Sequence, residues 1–154
     1  MVLAESIIDR TLRNYSYSAS QKGIELLKRV ELIHPFLEAD VYFLIKLMNN
    51  VMDNAVKFTP AGGKVVLSAY EDGESIHFEV RDTGIGISED SFKHIFDSFY
   101  QADGSSTRKY GGNGLGLYMA KLIVDAHHGR IWIESETEIG TTVHILLPKE
   151  QTTR

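Results

Sequence analysis

Residues 41–82 read VYFLIKLMNNVMDNAVKF-TPAGG-KVVLSAYEDGESIHFEVRD: a helical pattern, a breaker and two alternating strands in one run. Val41, Leu44, Ile45, Met48, Val51, Met52 and Ala55 fall on one side of a helix at about 100° per residue. Asp40 is suited to cap its start, and Thr59-Pro60-Ala61-Gly62-Gly63 stops it near Phe58. Strands are expected over Lys64–Glu71 and Ser75–Asp82, joined across Asp72-Gly73 as a hairpin. Ile76, Phe78 and Val80 alternate with polar neighbours, so one face of the second strand packs inward. A long amphipathic helix next to a hairpin points to an α+β domain.

Working outward, helical spacing runs from Ile7 through Ile8, Leu12, Tyr15 and Ala19, and Gly23 punctuates it. Ile24–Val30 reads as a strand, and His34-Pro35 forces an extended link. Downstream, Ser88 is a cap for a short helix containing Phe92, Ile95 and Phe96. Residues 101–113 are rich in Gly and Ser and nearly free of apolar anchors. A helix is expected from about Leu115 to His127, with Gly129 as its C-cap, then strands Arg130–Ser135 and Thr141–Leu147 and a polar tail. Hairpins dominate over strict strand–helix alternation, so the expected architecture is an α+β two-layer sandwich.

Composition narrows the function. At 154 residues the chain is about one domain long. Its net charge of −5 and pI near 5.6 argue against a nucleic-acid binder. With no cysteine there is no disulfide, thiolate zinc site or cysteine nucleophile. No apolar run approaches the ~18 residues of a membrane span, and Glu5 and Asp9 interrupt the start, unlike a signal peptide. The expectation is a cytoplasmic domain without membrane contact.

Three features carry chemistry. Opposite the apolar side of the long helix, Asn50, Asn54 and Lys57 stack at i, i+4 and i+7. Paired asparagines cost helix propensity, but they offer neutral oxygens suited to Mg²⁺ already neutralised by phosphates, with Lys57 as a point charge. A solvated helix face would look the same. Second, the strand ending at Val80 runs into Arg81-Asp82-Thr83-Gly84-Ile85-Gly86-Ile87. Its glycines let the backbone approach a flat ligand, and Asp82 can accept from an exocyclic amine; an Asx turn is the plainer reading. Third, Gly111-Gly112-Asn113-Gly114-Leu115-Gly116-Leu117 opens a helix, an anion-binding arrangement or else a hinge. Dinucleotide-fold and P-loop motifs are excluded: Leu117 stands where the last glycine would be, and Gly63-Lys64 is followed by Val65.

In combination, Asn50–Phe58 resembles the N box of sensor histidine kinases, and Asp82-Thr-Gly84-Ile-Gly86-Ile their first glycine box. Phe96-Asp-Ser-Phe99-Tyr100 resembles the phenylalanine box, Gly112-Asn-Gly114-Leu-Gly116-Leu the second glycine box, and Gly140–Pro148 the closing strand. In family order from about Ile7 to Pro148, they resemble the catalytic and ATP-binding domain of a two-component sensor histidine kinase, within the superfamily of gyrase, heat-shock chaperone and mismatch-repair ATPases. The resemblance implies a mixed, mostly antiparallel sheet covered by helices on one face. It divides the chain into a helix at 1–22 that follows an absent dimerisation hairpin, an ATP-binding domain at 23–149 and a polar tail at 150–154.

It also implies roles. Asn54 and Asn50 would hold Mg²⁺ on ATP, and Lys57 would contact phosphate. Asp82 would read the adenine amine, with Gly84 and Gly86 turning beside it. Ile85, Ile87 and Leu115 are candidate walls for the base or else plain core residues, and Leu117 and Tyr100 border the site. Gly112, Gly114 and Gly116 would give N–H groups to phosphate. Residues 101–110 would form an ATP lid, with Arg108 or Lys109 toward the γ-phosphate or simply solvated. Hydrolysing relatives carry glutamate where Asn50 sits, so water activation here should be poor.

The family's acceptor is a histidine followed by an acidic residue, and none of the six histidines fits. The expected function is therefore transfer of the γ-phosphoryl of Mg–ATP to a histidine on a separate dimerisation domain, and onward to a response regulator. The expected isolated domain is a monomer and the parent a homodimer. The rivals are an ATPase or serine kinase of the same fold, and a nucleotide-sensing module without transfer.

Overall fold

A computed structural model of the chain describes residues 1–97 and 116–151. A short strand, β1 (Val2–Leu3), leads into α1 (Ala4–Lys22). Strand β2 (Glu25–Glu31) follows, then β3 (Phe36–Leu37), which pairs antiparallel with β1 and was not foreseen. Next come α2 (Val41–Phe58), β4 (Lys64–Asp72), β5 (Ser75–Asp82) and α3 (Glu89–Phe92). The fold closes with α4 (Gly116–Ala126), β6 (Arg130–Glu136) and β7 (Gly140–Pro148).

The main sheet has the order β2-β4-β5-β7-β6. β2 and β4 run parallel, with Leu26 beside Val65, while the other pairings are antiparallel. A parallel pair needs a long crossover, and α2 supplies it. The β4–β5 hairpin turns through Gly73-Glu74, with Gly73 at φ +60°. One face of the sheet is hydrocarbon: Val65, Leu67, Ile76, Phe78, Val80, Ile145 and Leu147 are all essentially inaccessible. The expected α+β sandwich, mostly antiparallel with helices on one face, is observed.

α2 is the spine. The Asp40 side chain accepts from Phe43 N–H, as its capping role requires. Its buried side is wider than the spacing predicted: Leu47 and Val56 join Leu44, Ile45, Met48, Val51, Met52 and Ala55 because α1 and α4 flank the helix on two sides. Val41, by contrast, is 44% exposed, its turn projecting past the core.

Helix ends differ from expectation in two places. α1 ends in a Schellman motif with Gly23 left-handed, Ile24 N–H reaching Ala19 O and Gly23 N–H reaching Ser20 O. α4 ends the same way, but the left-handed residue is His128 (φ +60°), not Gly129. Gly129 is needed for space: a Cβ there would lie 2.3 Å from Leu146 O. The expected helix through Ile95 and Phe96 stops at Phe92. The chain continues in i→i+3 turns that lay Ile95 and Phe96 against the core.

Among the described residues no helix is long and apolar enough to cross a membrane.

Candidate functional site

The asparagine stripe lies on the less buried side of α2, where Asn50, Asn54 and Lys57 are all partly accessible. Asn50 Nδ2 is buried without a hydrogen-bond partner among the described residues. An orphaned amide costs free energy unless something meets it, so this N–H group is available to donate to a polar ligand. Lys57 Nζ is 2.8 Å from Asp53 Oδ2, one turn back. Asp53 was not singled out from the sequence, although its i,i+4 spacing to Lys57 is readable there. Asp53 also helps push the Tyr15 hydroxyl up to about 12, behind the larger effect of burial. Tyr15 OH donates to Asn49 O, and Lys22 Nζ donates to the carbonyls of Val56 and Lys57, so α1 braces both the stripe and the end of α2.

Asp82 takes the last inward position of β5, after Ile76, Phe78 and Val80, and is 9% exposed. Burial pushes its carboxyl up to about 6, even though two backbone N–H groups pull the other way. Both donors, Gly84 N–H at 2.8 Å and Thr141 N–H at 3.2 Å, use Oδ1. The other oxygen, Oδ2, receives no hydrogen bond from the described residues. Thr141 was not identified as a site residue, since its role depends on β7 pairing with β5 in the register Asp82–Thr141.

The first glycine loop is fixed from three sides. Ile85 N–H donates to Phe58 O at the end of α2, Glu138 N–H to Ile85 O, and Ile87 N–H to Ser135 Oγ. A Cβ on Gly84 would meet Phe58 O at 2.5 Å. Gly86 adopts φ +76°, and a Cβ there would lie 2.3 Å from Glu136 O, so its local requirement is the approach of the β6–β7 turn. Asp82, Gly84 and Ile85 are thereby held against the end of the helix that carries Asn50, Asn54 and Lys57. Ile87 packs partly buried against the core, and Leu117 is buried within it, seating α4. Gly116 opens α4. Tyr100, Arg108, Lys109, Gly112, Gly114 and Leu115, with residues 101–110, lie outside the described residues.

The family described as "Histidine kinase-, DNA gyrase B-, and HSP90-like ATPase" matches residues 39–151. The chain belongs to that family. Its relatives include the methyl sulfide methyltransferase-associated sensor of Methanosarcina acetivorans, 37% identical over 145 residues, 94% of this chain and 14% of that protein. Sensor histidine kinase WalK of Bacillus subtilis is 36% identical over 133 residues, 85% of this chain and 22% of its own length. The domain thus spans under a quarter of either relative. Among solved structures, the nucleotide-free catalytic domain of histidine kinase ThkA superposes with a TM-score of 0.84, covering 97% of this chain and 95% of that one, at 22% identity. Full-length ShkA in complex with AMPPNP gives 0.85 at 32% identity, covering 99% of this chain and 31% of that chain.

The residues present fit a magnesium ion held by polyphosphate. The side-chain oxygens of two carboxamides in register, Asn50 and Asn54, offer neutral ligands, and the orphaned Nδ2 of Asn50 is a hydrogen-bond donor for a phosphate oxygen; a bare divalent cation would call for carboxylates.

Proposed function

We propose that this histidine-kinase-type domain binds Mg–ATP and presents the γ-phosphoryl to a histidine on a separate dimerisation domain, for relay to a response regulator. The observation that carries the reading is Asp82: a buried carboxylate with Oδ1 fastened by two N–H groups and Oδ2 open to a donor. An exocyclic adenine amine supplies such a donor. Asn54 and Asn50 would hold Mg²⁺, whose chemistry is to neutralise phosphate charge. Lys57 exchanges Asp53 for a phosphate oxygen, and Asn50 Nδ2 gains the partner it lacks. The AMPPNP complex of ShkA supports nucleotide binding by this fold.

Phosphoryl transfer asks for positioning and charge stabilisation more than covalent chemistry, which suits a site of amides and a lysine. With asparagine at position 50, that side chain cannot take a proton from water, so the nucleotide is spared for the acceptor.

Calorimetry tests the nucleotide site. Asp82→Ala should weaken ATP binding at least tenfold with the circular dichroism spectrum retained; unchanged affinity would remove the adenine role. Asn54→Ala should weaken binding more with Mg²⁺ than without it. Mixing the chain with labelled ATP and the dimerisation domain of a related kinase should yield phosphohistidine, whereas the isolated chain should stay unlabelled. Rapid steady hydrolysis would favour an ATPase instead.

A further inference from the structure

The face of the sheet turned away from the helices holds a cluster the nucleotide site does not use. His77 and Glu79 are successive outward residues of β5, and His144 stands directly opposite Glu79 on β7. Tyr70 and Trp132 occupy the flanking outward positions of β4 and β6, opposite His77 and His144 respectively. His77 Nε2 is 3.0 Å from His144 Nδ1 and 3.6 Å from Glu79 Oε1, and His144 Nδ1 is 3.4 Å from the same oxygen. Three atoms able to donate lone pairs therefore form a nearly equilateral triangle.

From this geometry we infer that His77, Glu79 and His144 form a binding site for a zinc-class divalent cation. Ligand bonds of about 2.0–2.2 Å in tetrahedral geometry put donor atoms roughly 3.3–3.6 Å apart; two of the three separations, 3.4 and 3.6 Å, fit this, and the two imidazole nitrogens at 3.0 Å would move apart by a few tenths of an ångström. A single proton shared between the two imidazoles would satisfy only the His77–His144 edge, whereas a cation would meet all three atoms at once. Two imidazoles and one carboxylate select Zn²⁺, Co²⁺ or Ni²⁺ over Mg²⁺ and Ca²⁺, which want oxygen.

The donors are also held in place. Tyr70 stacks on His77 with centroids 4.6 Å apart, and Trp132 stacks on His144 at 4.9 Å and 5°. Tyr70 OH donates to Glu79 Oε1 at 2.7 Å, orienting the carboxylate. The far nitrogen of His144, Nε2, is buried and lacks a properly angled hydrogen bond, yet Glu134 Oε1 lies 2.9 Å away. Glu134 is largely exposed, and a small rotation would make the carboxylate–histidine pairing that outer partners of metal-bound histidine commonly provide. The cations of this face are Arg130, over the Trp132 ring at 5.0 Å, Arg81 of β5, Lys64 of β4 and Arg29 of β2. With three protein ligands the fourth position is open. A cation here clamps β5 to β7, the strands that bring Asp82 and Thr141 together.

The test uses the whole chain stripped with EDTA, titrated with Zn²⁺ against a chromophoric chelator, and separately with Co²⁺. Expected are one Zn²⁺ per chain in excess Mg²⁺, the intense visible bands of tetrahedral Co²⁺, and a raised Tm with Zn²⁺. His144→Gln and His77→Gln should each weaken Zn²⁺ binding more than a hundredfold, and Tyr70→Phe about tenfold. A His127→Gln/His128→Gln double variant and Asn54→Ala should leave it unchanged, which separates this site from surface histidines and from the nucleotide site. Should His77→Gln fail to fold, the Co²⁺ spectrum and His144→Gln decide. Zn²⁺ binding that survives His144→Gln, or no tetrahedral Co²⁺ signal, overturns the assignment.

Discussion

Strand β5 presents two faces with opposite physics. Inward, Ile76, Phe78 and Val80 are almost wholly buried in hydrocarbon and end in Asp82. Outward, Ser75, His77, Glu79 and Arg81 meet water and other polar side chains, with His77 the deepest among them at 7% exposure. Each face thus carries one ionisable group in a place where charge is costly. Alternation tells which side a residue faces; it does not tell how dry that side becomes. The inward exception is dry because helices cover it, while the outward one is dry because tyrosine, tryptophan and a second histidine crowd it.

The largest effect should separate hydrocarbon from aromatic packing. Phe78→Ala leaves a cavity under α2 and should cost about 3–5 kcal/mol. Trp132→Ala, on the outer face, loses stacking and partial burial and should cost about 1–2 kcal/mol. Urea midpoints with unchanged slopes provide the check. If Trp132→Ala proved the costlier, the outer face would be a second core, and the contrast would fail.

Next in size is the pH response of the two exceptions. The folded value of Asp82, about 6, lies above the ordinary 3.8, so its contribution to stability is complete below pH 3.8 and is lost as pH rises through 6. The gap corresponds to about 3 kcal/mol. His77 is shifted down from 6.5, first by burial and further by His144, with Glu79 opposing. Its contribution is present above pH 6.5 and fades as pH falls toward the folded value, the opposite slope. Asp82→Asn should remove most of the decline between pH 4 and 7 in urea midpoints. His77→Gln should leave that decline intact and steeper near pH 6. The same Asp82 titration should lower nucleotide affinity below pH 6 in the native chain and not in Asp82→Asn.

How legible this was in the sequence varied with the range of the interaction. The α2 cap at Asp40, the hairpin and the alternation of β5 depend on neighbours within a few residues; the cap and the alternation stand where the pattern put them, and the hairpin forms with its turn one residue on, at Gly73-Glu74 instead of Asp72-Gly73. Residues whose meaning comes from distant partners were opaque. Thr141 becomes a donor to Asp82 only through the register of β5 with β7, and Glu79 finds His144 the same way. Gly86 reads as a ligand-approach glycine, yet the atom that would collide with a Cβ belongs to Glu136. The parallel pairing of β2 with β4 was equally hidden, because nothing local distinguishes a parallel edge from an antiparallel one. The asparagine stripe lay between these cases: its spacing was plain, but the orphaned Nδ2 of Asn50 arises only from tertiary packing around the helix.

The smallest effect tests whether the inward rule holds at the sheet's edge. On β2, Lys28 shares the inward side with Leu26 and Val30, where central strands carry hydrocarbon. It is tolerated because the edge lies under the polar side of α1: Lys28 Nζ is 2.7 Å from Asp9 Oδ1 and 3.5 Å from Glu5 Oε1. All three side chains stay more than a third exposed, so Coulomb gain is diluted by solvent and by the entropy of holding long chains. Lys28→Ala should therefore cost about 0.2–1 kcal/mol at low salt and less at 1 M, where screening shortens to ~3 Å. Lys28→Leu carries the sharper information. If hydrocarbon there stabilises the fold, the edge is a continuation of the core that happens to hold a cation. If it is neutral or harmful, Glu5 and Asp9 make this margin of the sheet ionic in kind, and the dry face ends at β4.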